Sequence, residues 1–401
     1  MLNRSKIGKV LAALIGLVTS QATMARTDYW QLNMYKGVTP LSHDMYNLHM
    51  IGMVICSIIG ILVFGVMIYS LIHHRKSKGY KPATFHDNFR LEIIWSIIPF
   101  LILIGLAIPA TQVLIRMENS DDADVTIKVV GYQWKWQYQY LDQGISFFSN
   151  LLTPYSQIRN KQAKGQWYLL EVDKPLVLPV NKKIRFLVTS NDVVHSWWVP
   201  KLGVKRDAIP GFMHEAWARI EKPGTYRGQC AELCGINHAF MPIVVQAVNE
   251  DQFNQWVSQQ IKVKDQYDVL ASQPAEHSNL QRSELMSLGR QKYDQYCSAC
   301  HAADGKGLPP MYPALKGSSV AVGKPISRHI SMILNGIPGS AMQPYRDQLN
   351  DKEIAAIVTY ERYAWENNTS DLVQASDVAK ERQNEAQKPK IVDKAKSGGL
   401  R

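Results

Sequence analysis

The sequence predicts a multidomain membrane protein: a two-helix transmembrane hairpin, then an all-β domain, then a small all-α domain. Three observations carry this reading. Two apolar stretches, at about 45–72 and 91–114, each exceed the roughly 20 residues that cross a hydrocarbon core. Short segments rich in alternating and β-branched residues, separated by Pro and Gly turns, fill about 124–249. Beyond them, two helical patterns, SELMSLGRQKYDQYCSACH and DKEIAAIVTYERYAW, bracket Gly- and Pro-rich loops.

Taken in order, residues 1–25 have a basic start, a short apolar run over 10–18 and small residues at Ala22 and Ala25, the pattern of a secretory signal. The N-terminal segment and hairpin follow over 26–117. The loop between the spans, HHRKSKGYKPATFHDNFR, holds Arg75, Lys76, Lys78, Lys81 and Arg90 against one acid, so the positive-inside rule puts it in the cytoplasm and everything after the second span outside. The all-β domain occupies 118–262 and closes with a helix in EDQFNQWVSQQIKVK. Residues 263–282 read as a polar linker, 283–367 as the helical domain, and 368–401, rich in Lys, Glu, Gln and Ser, as a disordered tail.

The formal charge of +11 invites a nucleic-acid reading, but the excess sits in the signal region, the cytoplasmic loop and the tail. No basic, aromatic-interleaved patch remains for an exported domain to use, so nucleic acid is set aside.

Five cysteines remain to be placed. Cys56 lies inside the first span, and the other four form two close pairs, each followed by histidine. In CSACH, Cys297 and Cys300 can form thioethers to a haem while His301 ligates its iron; a zinc or redox site is the alternative for so short a motif. Met342, in the GIPGSAMQPY loop, is the candidate second axial ligand, ahead of Met332 and Met311. The second stretch, CAELCGINHAFM, spaces Cys230, Cys234, His238 and Met241 as soft donors suited to a thiophilic transition metal. One zinc or one blue copper are possible readings. A blue site leaves one thiolate unused, whereas two coppers bridged by both sulfurs use the whole set, with His195 as the second nitrogen and the Glu232 carbonyl completing it.

The segment 283–365 resembles a class I cytochrome c, with Cys297, Cys300, His301 and Met342 in the matching roles. On GYQWKWQYQY, HSWWVPKLGVKRDAIPG, CAELCGINHAFMP and the two spans, the chain resembles subunit II of cytochrome c oxidase, in the version with a fused C-terminal cytochrome c. That resemblance implies a dinuclear copper A centre on a cupredoxin-like barrel, covalently attached haem c, and magnesium shared with subunit I through the Glu232 carboxylate, with Asp207 in support. It implies that Trp134 is an exposed tryptophan on the electron-input surface, which here would face the chain's own haem, and that Glu92 stands at a proton-pathway entrance. Glu92 also suits a helix N-terminus on electrostatic grounds alone. The implied partners are subunits I and III and an electron donor such as a cytochrome c or a cytochrome bc1 complex. The implied location is the bacterial inner membrane, with both redox domains on the periplasmic side. A membrane-tethered copper-delivery or redox-sensing protein is the rival reading.

Overall fold

A computed structural model describes residues 33–82, 84, 86–272, 280–310, 312–337, 340–346 and 348–386. The signal expected over 1–25 lies outside the described residues. The chain divides into two compact units: one runs to Arg116 and includes Lys201–Gly203, and the other holds the remainder.

In the first unit, helix α1 (Pro40–His73) begins at a reciprocal capping box: the Thr39 side chain accepts from Ser42 N, and the Ser42 hydroxyl accepts from Thr39 N. Helix α2 (Phe89–Glu118) continues through Pro99 and Pro109. Both are longer than the apolar stretches that predict them, because polar residues at each end extend the helices past the hydrocarbon length. Arg116 pairs with Asp44 at 3.0 Å, tying the end of one helix to the start of the other. Their apolar side chains, such as Ile61 and Leu103, are exposed along both spans, the pattern of helices whose solvent is lipid.

The second unit opens with the all-β domain. Its strands are β1 (Val125–Tyr132), β2 (Lys135–Tyr140), β3 (Ile145–Ser149), β4 (Leu176–Pro179), β5 (Lys183–Ser190), β6 (His195–Val199), β7 (Val204–Ala208), β8 (His214–Arg219), β9 (Gly224–Cys230) and β10 (Pro242–Val248). They form two five-stranded sheets, β3-β2-β1-β5-β8 and β4-β10-β9-β6-β7. Alternation decides which side chains enter the core: in β5, Ile184, Phe186 and Val188 are buried while the residues between them are partly exposed. Phe186 packs at a tilt against Trp197 from the other sheet, with ring centroids 4.8 Å apart.

Helix α3 (Glu250–Ser272) corrects the linker expected over 263–282. KVKDQYDVLAS has no Gly or Pro to stop a helix before Pro274, so the helix runs through ten of those residues.

The cytochrome-like segment contains α4 (Arg282–Tyr296), a helical turn at Ser298–His301, α5 (Ile326–Asn335) and α6 (Asp351–Tyr363). Helices α4 and α6 cross at Gly289, where an added Cβ would lie 2.1 Å from the Ala356 carbonyl oxygen; only glycine permits so close a crossing. Leu285, Ile330, Ile333, Leu334, Ile354 and Ile357 belong to the core they enclose.

The disordered tail expected over 368–401 is corrected for its first half. Helix α7 (Ala375–Ala386) packs on that core through Val378, and Val373 enters it just ahead of the helix. The Arg382 guanidinium pairs with Asp351 at 2.9 Å and donates to the carbonyls of Arg346 and Leu349. A sparse apolar stripe, diluted by charged residues, gave a composition like that of a disordered segment. Residues 387–401 lie outside the described residues.

Candidate metal centre

Sheet order assembles the cysteine-rich site. Strand β9 delivers Cys230 at its last position, and β6, hydrogen-bonded beside it, begins at His195. The loop from β9 to β10 then returns over the same sheet edge, carrying Cys234, a 3-10 turn at His238–Phe240, and Met241 immediately before β10.

All six expected donors converge. Cys230 Sγ lies 3.8 Å from Cys234 Sγ, 4.0 Å from His195 Nδ1 and 3.4 Å from the Glu232 carbonyl oxygen. Cys234 Sγ lies 3.5 Å from both His238 Nδ1 and Met241 Sδ. The arrangement is paired: one sulfur faces an imidazole and a carbonyl, the other an imidazole and a thioether. Both cysteines, His195 and Met241 are buried.

The surroundings fix these donors. His195 Nε2 is 2.8 Å from Asp192 Oδ1, so the ring proton belongs on Nε2 and the Nδ1 lone pair is turned to the sulfurs. Gly131 backs the same ring; a Cβ there would come within 2.8 Å of His195 Cδ2. The Cys234 carbonyl accepts from Gln133 Nε2 at 2.9 Å and Trp134 Nε1 at 3.0 Å, and Trp136 Nε1 donates to the Met241 carbonyl at 3.3 Å. Sequence reasoning missed Asp192 and Gln133 as supports. The first had a local signal, an acid three residues before His195, whereas the second acts across a hundred residues of chain.

The two cysteine pairs differ electrostatically. The Cys230 thiol is held well below its ordinary range, chiefly by its contact with the Cys234 thiol and further by His195, against burial; Cys234 is pushed up by its contact with Cys230 and by burial. His195 is buried, which disfavours its cation, yet its bonds to Asp192 and Cys230 leave its pKa raised. Two adjacent sulfurs, two imidazoles, one of them held by Asp192, and a thioether fit thiophilic metal ions.

At the CSACH turn, burial dominates instead. It raises the Cys297 thiol well above its ordinary value and pushes Cys300 up to about 12. Both sulfurs thus sit among apolar groups that favour an uncharged state. His301 Nδ1 donates to the Pro313 carbonyl at 2.9 Å, leaving Nε2 as the donor for an iron. Met342 and Cys297 rest against the same apolar cluster. Met332 is half-buried on α5, and Met311 lies outside the described residues.

Of the remaining expected residues, Trp134 borders the cysteine cluster, while the Glu232 side chain, Asp207 and Glu92 make no hydrogen bond to its donor atoms. Trp134 is half-buried, not exposed: Tyr312 of the cytochrome-like segment lies over it, with ring centroids 5.9 Å apart. The side chain of Glu232 is exposed. The Asp207 carboxylate is 3.7 Å from Lys205 and partly solvated, and Glu92 lies exposed in the first turn of α2.

Family comparisons agree with this architecture. Residues 27–113 match the transmembrane domain of cytochrome c oxidase subunit II, 125–248 its periplasmic domain, and 284–360 the family described as cytochrome c oxidase, cbb3-type, subunit III. A probable cytochrome c oxidase subunit 2 of Rickettsia bellii is 38% identical over 257 residues, covering 64% of this chain and 94% of the relative. Cytochrome c oxidase subunit 2 of Arabidopsis thaliana is 38% identical over 234 residues, 58% of this chain and 90% of the relative. Among solved structures, the periplasmic domain of subunit II of cytochrome oxidase of Bradyrhizobium japonicum is 43% identical, with 36% of this chain and 97% of that one covered and a TM-score of 0.32. The chain belongs to the cytochrome c oxidase subunit 2 family, with a cupredoxin-like domain followed by a cytochrome c domain, and is a component of the cytochrome c oxidase complex.

Proposed function

We propose that this chain is the electron-input subunit of a haem-copper terminal oxidase. It passes electrons from a c-type haem on its own cytochrome domain to a dinuclear copper A centre, and from there to the haems of subunit I, where oxygen is reduced and protons are pumped. The observation that carries the reading is the convergence of six donors around two thiols 3.8 Å apart. His195, Cys230, the Glu232 carbonyl, Cys234, His238 and Met241 would hold the copper pair. When bound, such a pair shares one added electron between two metals and so exchanges it with little bond rearrangement.

The protein's part is to keep the donors still. Asp192 holds the His195 ring, Gln133 and Trp134 hold the Cys234 peptide, and strand backbone holds Cys230. This burial and rigidity count against a copper-delivery protein, whose ligands must open to a recipient. Cys297 and Cys300 would attach the haem covalently, with His301 and Met342 as its axial ligands. The exposed Glu232 carboxylate is available for a magnesium ion shared with subunit I; Asp207, paired with Lys205, is a weaker supporting group. Glu92 is assigned the mouth of a proton pathway. Subunit III and a cytochrome c or bc1-type donor complete the assembly, in a bacterial inner membrane with both redox domains on the periplasmic side. The domains run over 26–117, 118–272 and 280–386, after a signal at 1–25.

Metal and haem analysis with copper electron resonance on the purified complex tests the reading. Two coppers and one covalent haem per chain are expected, with the seven-line pattern of one electron shared equally by two copper nuclei. Zinc, or the four-line pattern of a single copper, would end it.

A further inference from the structure

The two candidate sites are joined by a continuous run of bonds. Tyr312 sits in the loop after the CSACH turn, held by reciprocal backbone hydrogen bonds with Leu308 of 2.9 and 3.1 Å. Pro313, covalently next to it, accepts the His301 Nδ1 proton at 2.9 Å. On its other side the Tyr312 hydroxyl donates to Gln133 Oε1 at 3.3 Å, and Gln133 Nε2 donates to the Cys234 carbonyl at 2.9 Å. One amide therefore accepts from the cytochrome domain and donates to a candidate copper ligand. Only that orientation of Gln133 satisfies both partners.

Beside it, Lys135 is buried in the contact. Its Nζ donates to Gln348 Oε1 at 2.5 Å and lies 4.6 Å from the ring centroids of Phe148 and Tyr345. Three successive residues, Gln133 and Trp134 of the β1–β2 turn and Lys135 at the start of β2, thus meet Tyr312, Tyr345 and Gln348.

We propose that Tyr312 is the bridging residue of this chain: the run His301–Pro313–Tyr312–Gln133–Cys234 couples the cytochrome site to the cysteine cluster, and the Trp134 face is committed to the chain's own cytochrome domain rather than to a diffusing donor. The proposal rests on the relay reading above. The physical reason is that covalent and hydrogen bonds couple donor to acceptor better than an empty gap of equal length. The step is a one-electron transfer, in which what the cytochrome site loses the cysteine site gains. The hydroxyl proton stays on Tyr312 throughout; burial, with the nearby Cys300 thiol, pushes that hydroxyl up to about 12. An external donor then meets the cytochrome domain and never the β1–β2 turn.

The test uses the full-length chain in its assembled complex with Tyr312→Phe, which keeps the ring and removes only the bridging hydroxyl. Two readouts are taken: photo-triggered electron transfer from haem to copper, and acylation of Lys135 by a water-soluble amine reagent, located by mass spectrometry. The expected result is an order-of-magnitude slowing of internal transfer, with copper and haem spectra unchanged, Lys135 still protected and haem reduction by an external donor unaffected. Unchanged internal transfer with Lys135 protected would overturn the bridge. Acylation of Lys135 in the wild-type complex as fast as at the exposed Lys222 would overturn the closed face. A wild-type complex without paired copper or without haem would defeat the relay reading instead, and Lys135 protection would still report on the docking.

Discussion

His195 is wholly buried, with Nε2 bound to Asp192 and Nδ1 turned toward Cys230. Asp192 also accepts the Gln133 backbone N–H at 2.7 Å, so one carboxylate orients both the ring and the turn that carries the Cys234 contact. Asp192→Asn keeps the shape and removes the charge. Copper affinity is expected to fall about 10- to 100-fold, the usual loss when an outer partner of a ligand histidine is removed, with the fold retained. Competition against a copper chelator measures this, and wild-type affinity would remove Asp192 from the site's design. The donor types were legible from CAELCGINHAFM because four of them lie within one short loop. Asp192 and Gln133 were not singled out: an acid three residues from a histidine is a common, unspecific local pattern, and the role of Gln133 arises only when segments a hundred residues apart meet.

At the scale of elements, the tail helix is the clearest departure from the sequence reading. Val378 is completely buried, although the helix around it is rich in charged residues such as Asp377, Lys380 and Glu381. Val378→Asp would place an uncompensated charge in the cytochrome core, at a cost of about 3–5 kcal/mol. Thermal unfolding followed by haem absorbance should show a lowered midpoint for that domain; an unchanged midpoint would mean that α7 adds nothing to the core. Strand alternation and helix periodicity were readable because they repeat locally. Helix α7 has too few apolar positions to be recognised without the surface it covers.

At the scale of the whole molecule, the contact between the copper and cytochrome domains should depend on pH through Lys135. Burial lowers its pKa to about 7, opposed more weakly by Cys297, Asp173 and Cys300, from an ordinary value near 10.5. Between these two values an undocked Lys135 holds a proton that the docked one lacks, so docking tightens as pH rises from about 7 to about 10. Below about 7 both states are protonated, and this dependence disappears. Lys135→Met should flatten the slope while filling the same space. Hydrogen exchange of the β1–β2 turn, followed from pH 7 to 9, is the measurement; equal slopes in the two proteins would remove Lys135 as the titrating group.

The sequence by itself determined the two membrane spans, the order of the domains, the sulfur- and nitrogen-rich composition of the CAELCGINHAFM cluster and the CSACH motif. Each of these is written in neighbouring residues whose spacing maps directly onto a helix, a strand or a short loop. Tertiary structure alone decided that Asp192 and Gln133 brace the cysteine cluster, that Trp134 is covered, that the tail closes the cytochrome core, and that Tyr312 touches Gln133. Those are contacts between segments far apart in the chain, and local spacing carries no information about which surfaces meet once the apolar faces have been buried.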